Sequence, residues 1–432
     1  MLGTKRWLSY GFGAIAAATF GCTPTTASVI PESPPWYNRP AGALELLYSR
    51  DVVAESRRSG EAFEQSQVAL DPIHNRVYVG SSDSGFYALS ARDGKVLWRF
   101  ETLGAVQSEP LYDAMDNVVY FGSHDGALYK VRARDGALLW RFASNAEVMR
   151  KPVLVGETLY AVNANDTVLA LRAATGELIW SQHRTPAMGM EIAGHAGLAV
   201  LDGRVHVAFS DGTVTAYDAI TGKERWLPVD LSAEAEQSLG EVPKYLDVDT
   251  TPIPVNLDGR LTIAVGSYEG GVFLLDAETG DQVWSNTGVL GVTNISLWQQ
   301  PAHQDAAGQL HPQRAHLIVS TGTTGLWALD PSNGEELWQR DLPDGGVSKP
   351  AFIAGAMLVT STSQGVYLVS PLNGGVIDGF HTQTGLSSAP VAHGNRAYVI
   401  GNSGRLLALT VHAPKPGRPE RPMSNWMFPE GW

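Results

Sequence analysis

Four residues in one stretch, His303, Asp305, His311 and His316, are of the types that hold metals. Imidazoles beside a carboxylate bind Zn2+ or Cu2+. Their spacings fit no compact metal motif, however, so they read as a polar hairpin tip and no metal site is expected. Met149, Met188 and Met190 read as packing residues rather than soft-metal ligands. The chain has no Gly-x-Ser-x-Gly elbow, no Gly-rich phosphate loop and no His-Glu-x-x-His. No nucleophile stands with its base, so no catalytic residue is expected. Asp247 and Asp249 lie in LGEVPKYLDVDTTP (239–252), just ahead of a strand. Acids so placed can cap their own loop by side-chain to backbone hydrogen bonds.

The elements that carry these residues are copies of one unit, seen most fully in RVHVAFSDGTVTAYDAITGKERW from Arg204 to Trp226. RVHVAF and TVTAYDA alternate with period two, as half-buried strands do. Asp211-Gly212 and Thr221-Gly222 supply the turns between strands, where glycine tolerates positive φ. The Gly-x-x-x-Trp ends recur at Trp98, Trp140, Trp180, Trp226, Trp284 and Trp338, at intervals of 42, 40, 46, 58 and 54. A seventh copy keeps Gly374 but has Asp378 where Trp is expected, and an eighth, RAYVIGNSGRLLALTVH, stops after its third strand. Four short strands every 40–50 residues or so make propeller blades. ALELLYSRDVV, from Ala43 to Val53, is an orphan strand ahead of the first full blade. It would supply the outer strand that blade eight lacks and remove an exposed edge. The expected fold is therefore all-β: an eight-bladed β-propeller of four-stranded antiparallel blades, closed by an N-terminal strand. The six Trp residues are expected to dock each blade on its neighbour.

Ala-x-Asp-x-x-Thr-Gly-x-x-x-Trp, complete at Ala216–Trp226, resembles the repeat of the PQQ-type (quinoprotein-like) propellers over residues 43–412. That repeat specifies a fold rather than a function, since enzymes and scaffolds share it. Asp247-Val-Asp249-Thr-Thr-Pro is similar to a loop of the BamB family, the propeller lipoproteins of the outer-membrane β-barrel assembly machinery. The resemblance implies a scaffold that binds the periplasmic domains of the barrel-forming subunit, with Asp247 and Asp249 at the contact. Unfolded outer-membrane proteins are a further implied partner. The family's second contact stretch corresponds to Met188–Gly194, which makes Met190, Glu191 and Ile192 contact candidates. The family has a Leu-Arg pair there and this chain has no Arg at that place. Quinoprotein dehydrogenases resemble the same repeats and hold PQQ and Ca2+ over the ring axis with Glu, Asn and Asp, usually beside a cysteine pair. This chain has one cysteine and no long insertion for a cofactor chamber, so no cofactor is expected. A PQQ/Ca2+-dependent dehydrogenase, or a lipid-anchored propeller with another envelope partner, stay as alternatives.

Residues 1–21 read as an export signal, with Lys5 and Arg6 ahead of the apolar WLSYGFGAIAAATFG. Cys22 follows Gly21 directly, which resembles a lipoprotein box with Thr19 in place of its usual Leu. Lipidation of Cys22 would tether the chain to the periplasmic face of the outer membrane, through a Pro-, Ser- and Thr-rich linker over 22–42. Cleavage near Ala27 without lipidation is the alternative. The tail, 413–432, has five prolines and belongs to no blade; it either docks through Trp426, Phe428 and Trp432 or forms a disordered end. A net charge of −13 argues against nucleic acid as a partner.

Overall fold

The computed structural model describes residues 42–53, 64–186, 196–233, 236, 245, 248, 250–300, 302–304, 309–341, 346–363, 365–382 and 385–412. Eight four-stranded antiparallel sheets follow one another along the chain. Blade one has strands Val68–Asp71, Arg76–Gly80, Gly85–Ser90 and Val96–Glu101, ordered from the axis outward. Blades two to seven repeat this plan, ending at outer strands Leu138–Ala143, Leu178–His183, Glu224–Asp230, Gln282–Asn286, Glu336–Arg340 and Val376–His381. Blade six carries an added two-stranded ribbon, His303–Gln304 with Leu310–His311, where the sequence has its insertion. Ser232 and Ala233 are helical, and the residues from 237 to 244 lie outside the described ones.

The closing strand forms as expected. Leu44–Asp51 pairs antiparallel with Arg405–Val411, from Leu44 opposite Val411 to Asp51 opposite Arg405. It is the fourth strand of blade eight, so that sheet joins the two ends of the propeller.

The alternation in the strands has a different meaning from the one expected. The middle strands are buried on both faces: Val118–Ser123 and Gly271–Asp276 are buried at every position. Each sheet is sandwiched, so successive residues face the preceding and the following blade instead of core and water. The core accordingly sits in the seams. Phe86 of blade one stacks on Phe121 of blade two, with ring centroids 3.8 Å apart. Val205 and Val207 share a cluster with Val168 and Ala170 of the blade before. The outer strands turn most of their positions toward solvent.

The turns between third and outer strands show why the repeat has its form. Asp218 Oδ1 accepts the Thr221 N–H (2.7 Å) and its hydroxyl (2.8 Å), and Arg225 pairs with the same carboxylate. The Thr221 bonds, with the Arg225 charge, lower the Asp218 pKa to about 2. Gly222 then takes φ +69° and lies face-on to Trp180 of the preceding blade. At Gly136, Gly176, Gly222, Gly280, Gly334 and Gly374 a Cβ would come within 2.5–2.8 Å of the preceding blade's indole or, at Gly374, a neighbouring Arg340 carbon. Glycine is needed at these six positions for both φ and space.

Candidate partner-binding face

The six Trp residues each lie against a glycine turn of the following blade. Trp98, Trp140 and Trp180 donate from Nε1 to the carbonyls of Ala133, Ala173 and Ala219, each at 3.0 Å and each one blade on. Trp284 and Trp338 reach Pro331 (3.0 Å) and Pro371 (3.1 Å) in the same way. All are buried apart from the half-buried Trp98. In several blades a second donor from the second strand joins the indole: Tyr78, Tyr120, Tyr160 and Tyr398 donate to Ala133, Ala173, Ala219 and Ala91. His316 takes that part in blade six, with Nδ1 2.9 Å from the Pro371 carbonyl. It is thus a buried seam residue rather than a member of a histidine cluster. His303 and His311 pair in the ribbon, while their side chains and Asp305 lie outside the described residues.

Two docking residues were not recognised in the sequence. Tyr48 on the closing strand does the indole's work at the seam from blade eight to blade one. Its ring lies against Gly94, and its hydroxyl donates to the Ala91 carbonyl at 3.1 Å. Alignment by Trp misses it, and Arg50 beside it covers the same turn, donating to the Asp93 carbonyl at 3.1 Å. At the seam from blade seven to blade eight, Asp378 accepts the backbone N–H groups of Ala43 and Leu44. Blade eight has no Thr-Gly turn for an indole to cover, because its outer strand starts afresh at Leu44. Asp378 is buried, and desolvation raises its pKa against the pull of those N–H groups.

The expected contact residues Asp247, Asp249, Met190, Glu191 and Ile192 lie outside the described residues, as does Cys22. The residues that anchor the two contact stretches are described, and they meet. Gly197, where the chain resumes after the first stretch, lies against Thr251, after the second: a Cβ there would be 2.3 Å from Thr251 Oγ1. Val248 is buried with Ala196, Leu231 and Ile263, and Thr250 Oγ1 accepts the Gly266 N–H at 2.7 Å. Tyr245 packs edge-on to Tyr268 with centroids 5.9 Å apart, and its N–H donates to Glu269. The first stretch connects blade three to blade four and the second connects blade four to blade five, and their described ends meet at Gly197 and Thr251. The seam beneath them is short of donors: Trp226 Nε1 has no partner among the described residues, and the second-strand position holds His206. Burial lowers the pKa of His206 to about 4.

The mouth of the axial channel, a cavity of about 160 Å3, is lined by Gln67, Glu109, Arg150, Asn294, Ser348 and Lys349 among others. A cavity of about 390 Å3 continues from Gln67 and Glu109 along the inner strands. These residues do not fit PQQ with calcium. Glu109, the one carboxylate at the mouth, is held by Arg150 at 3.2 Å, and Lys151 and Lys349 add positive charge that opposes a cation. Among the described residues no three metal-ligating side chains come together.

The family described as "Outer membrane protein assembly factor BamB" matches residues 82–297 and 252–416. A relative of that name from Legionella pneumophila (strain Paris) is 24% identical over 232 residues, 54% of either chain. Another, from Shewanella oneidensis, is 22% identical across 85% of this chain and 78% of its own. The quinohemoprotein alcohol dehydrogenase ADH-IIG of Pseudomonas putida is 33% identical over 144 residues, 31% of this chain and 18% of that one. This chain thus spans about half the Legionella relative and under a fifth of the dehydrogenase. The crystal structure of BamB from Moraxella catarrhalis superposes with a TM-score of 0.64 at 19% identity, covering 85% of this chain and 99% of that one.

Proposed function

Because the chain belongs to the family of the outer membrane protein assembly factor BamB, we propose that it is a scaffold subunit of outer-membrane β-barrel assembly. It acts by binding rather than by catalysis. The ring holds the stretches around Met190–Ile192 and Asp247–Asp249 toward the periplasmic domains of the barrel-forming subunit. A lipidated Cys22 tethers it to the inner leaflet of the outer membrane. The observation that supports this reading is the meeting of Gly197 and Thr251, the described residues that follow the two stretches. A rigid ring offers them preorganised, which reduces the ordering cost of association.

The test is co-purification with the barrel subunit from detergent-solubilised envelope. An Asp247→Asn, Asp249→Asn double variant is expected to lose most of the captured subunit while its unfolding curve is unchanged. Capture at the wild-type level would remove these acids from the contact. The stretch of 33% identity to a quinohemoprotein dehydrogenase favours a second reading, PQQ- and Ca2+-dependent oxidation. A bound-quinone absorbance on adding both would support it, and the donor set at the axis speaks against it.

A further inference from the structure

The residue before the proline that opens each inner strand occupies an equivalent place in several blades: Glu109, Lys151, Thr251, Lys349 and Ala389 precede Pro110, Pro152, Pro252, Pro350 and Pro390. Lys151 opens blade three and Lys349 opens blade seven. In a ring of eight, blades three and seven stand opposite each other, so these two lysines face across the axis. The walls around Lys151 displace enough water to lower its pKa, and the Lys349 charge acts in the same direction. Glu109 is engaged by Arg150, and neither lysine's ammonium group has a hydrogen bond or ion pair to any described residue. Arg150 and Lys349 line the mouth with Glu109, and Lys151 lines the adjoining cavity that shares Gln67 and Glu109, in a protein whose net charge is −13. Low-dielectric walls lined by one sign of charge focus the field and concentrate counter-ions.

We propose that the channel mouth binds one small oxyanion on the axis, bridged by Lys151 and Lys349 and flanked by Arg150. Amide and hydroxyl groups suited to an oxyanion surround the place: Gln67, Gln107, Asn294, Ser348 and Ser387. The mouth, about 160 Å3, admits an ion of phosphate size with a few waters. It is below the roughly 300 Å3 of a drug-sized ligand site. This site does not depend on the proposed role in barrel assembly.

Calorimetric titration of the full chain with inorganic phosphate at low ionic strength tests the proposal. Saturable binding with one phosphate per chain is expected, and a Lys151→Gln, Lys349→Gln variant should bind at least tenfold more weakly. Lys95→Gln, on an exposed turn, should leave the affinity unchanged. Removing two lysines that repel each other should leave the melting temperature in phosphate-free buffer no lower than wild type. Acetylation of Lys151 in the wild-type protein, read by mass spectrometry, should slow when phosphate is present and needs no variant. A linear titration without saturation, equal affinity in the double variant, or unaltered Lys151 reactivity would each overturn the site.

Discussion

Asp378 accepts the Leu44 N–H at 2.9 Å across 334 positions of sequence. It also accepts the Ala43 N–H, and Gly379 N–H lies 3.0 Å from its other oxygen. The side chain that breaks the Trp pattern thus grips the start of the strand that closes the ring.

Asp378→Ala strands those buried N–H groups and should cost about 3 kcal/mol of unfolding free energy, on the scale of lost hydrogen bonds to charged groups. Denaturant titration measures it; a loss below about 1 kcal/mol would mean that β-pairing alone holds the strand. Burial raises the Asp378 pKa, so its contribution is greatest below the ordinary carboxylate value and declines as pH rises through the raised one. The stability gap to Asp378→Asn should therefore widen as pH falls from neutral. A gap that widened upward would show the anion to be the favoured form.

Tyr48→Phe removes only the hydroxyl that bonds to Ala91, and should cost about 1 kcal/mol. Tyr48→Ala also empties the face of Gly94 and should cost about 3–5 kcal/mol, as truncating a buried aromatic does. Equal costs for the two variants would show that the ring packing contributes nothing at this seam.

Gly203 and Gly222 share φ +69°, but a Cβ at Gly203 meets nothing within 4 Å whereas one at Gly222 would be 2.7 Å from Trp180 Cδ2. Gly203→Ala should lose only the left-handed penalty, about 1 kcal/mol. Gly222→Ala should lose at least about 2 kcal/mol more, because the indole has to move. Matching melting temperatures would sink the claim that turn and indole are fitted to each other.

His206 should make the protein acid-sensitive in a set window. Its folded pKa of about 4 lies below the ordinary 6.5, so the unfolded chain binds more protons between those values. Stability is full above pH 6.5 and falls toward pH 4, by up to about 3 kcal/mol. Asp218, lowered to about 2, acts only below its ordinary 3.8 and does not overlap that window. His206→Tyr, which copies Tyr160 one blade earlier, should flatten the profile; an unchanged slope would place the acid response elsewhere.

The fold was legible because its signals are local and repeated. Trp226 follows Gly222 by four residues, and one copy teaches the rest. Ring closure was legible because Leu44–Asp51 had no partner nearby and blade eight lacked a strand. Tyr48 and Asp378 were not legible as docking residues, since their roles follow from where the ring is cut, which alters the geometry without altering the repeat. The facing of Lys151 and Lys349 was hidden for another reason. Opposition across an axis depends on the number of blades and leaves no mark in either residue's neighbourhood. The meeting of Gly197 and Thr251 was likewise hidden, as a contact between segments more than fifty residues apart.

The strand at Leu44–Asp51 also sets an order of events. Synthesis from the N-terminus delivers this strand early, yet its partner Arg405–Val411 arrives more than three hundred residues later. Seven sheets can fold locally meanwhile, and the longest loop is closed last. Until then the early strand stays unpaired, and a chain cut shortly before residue 405 would be left as an open arc with two unpaired edges.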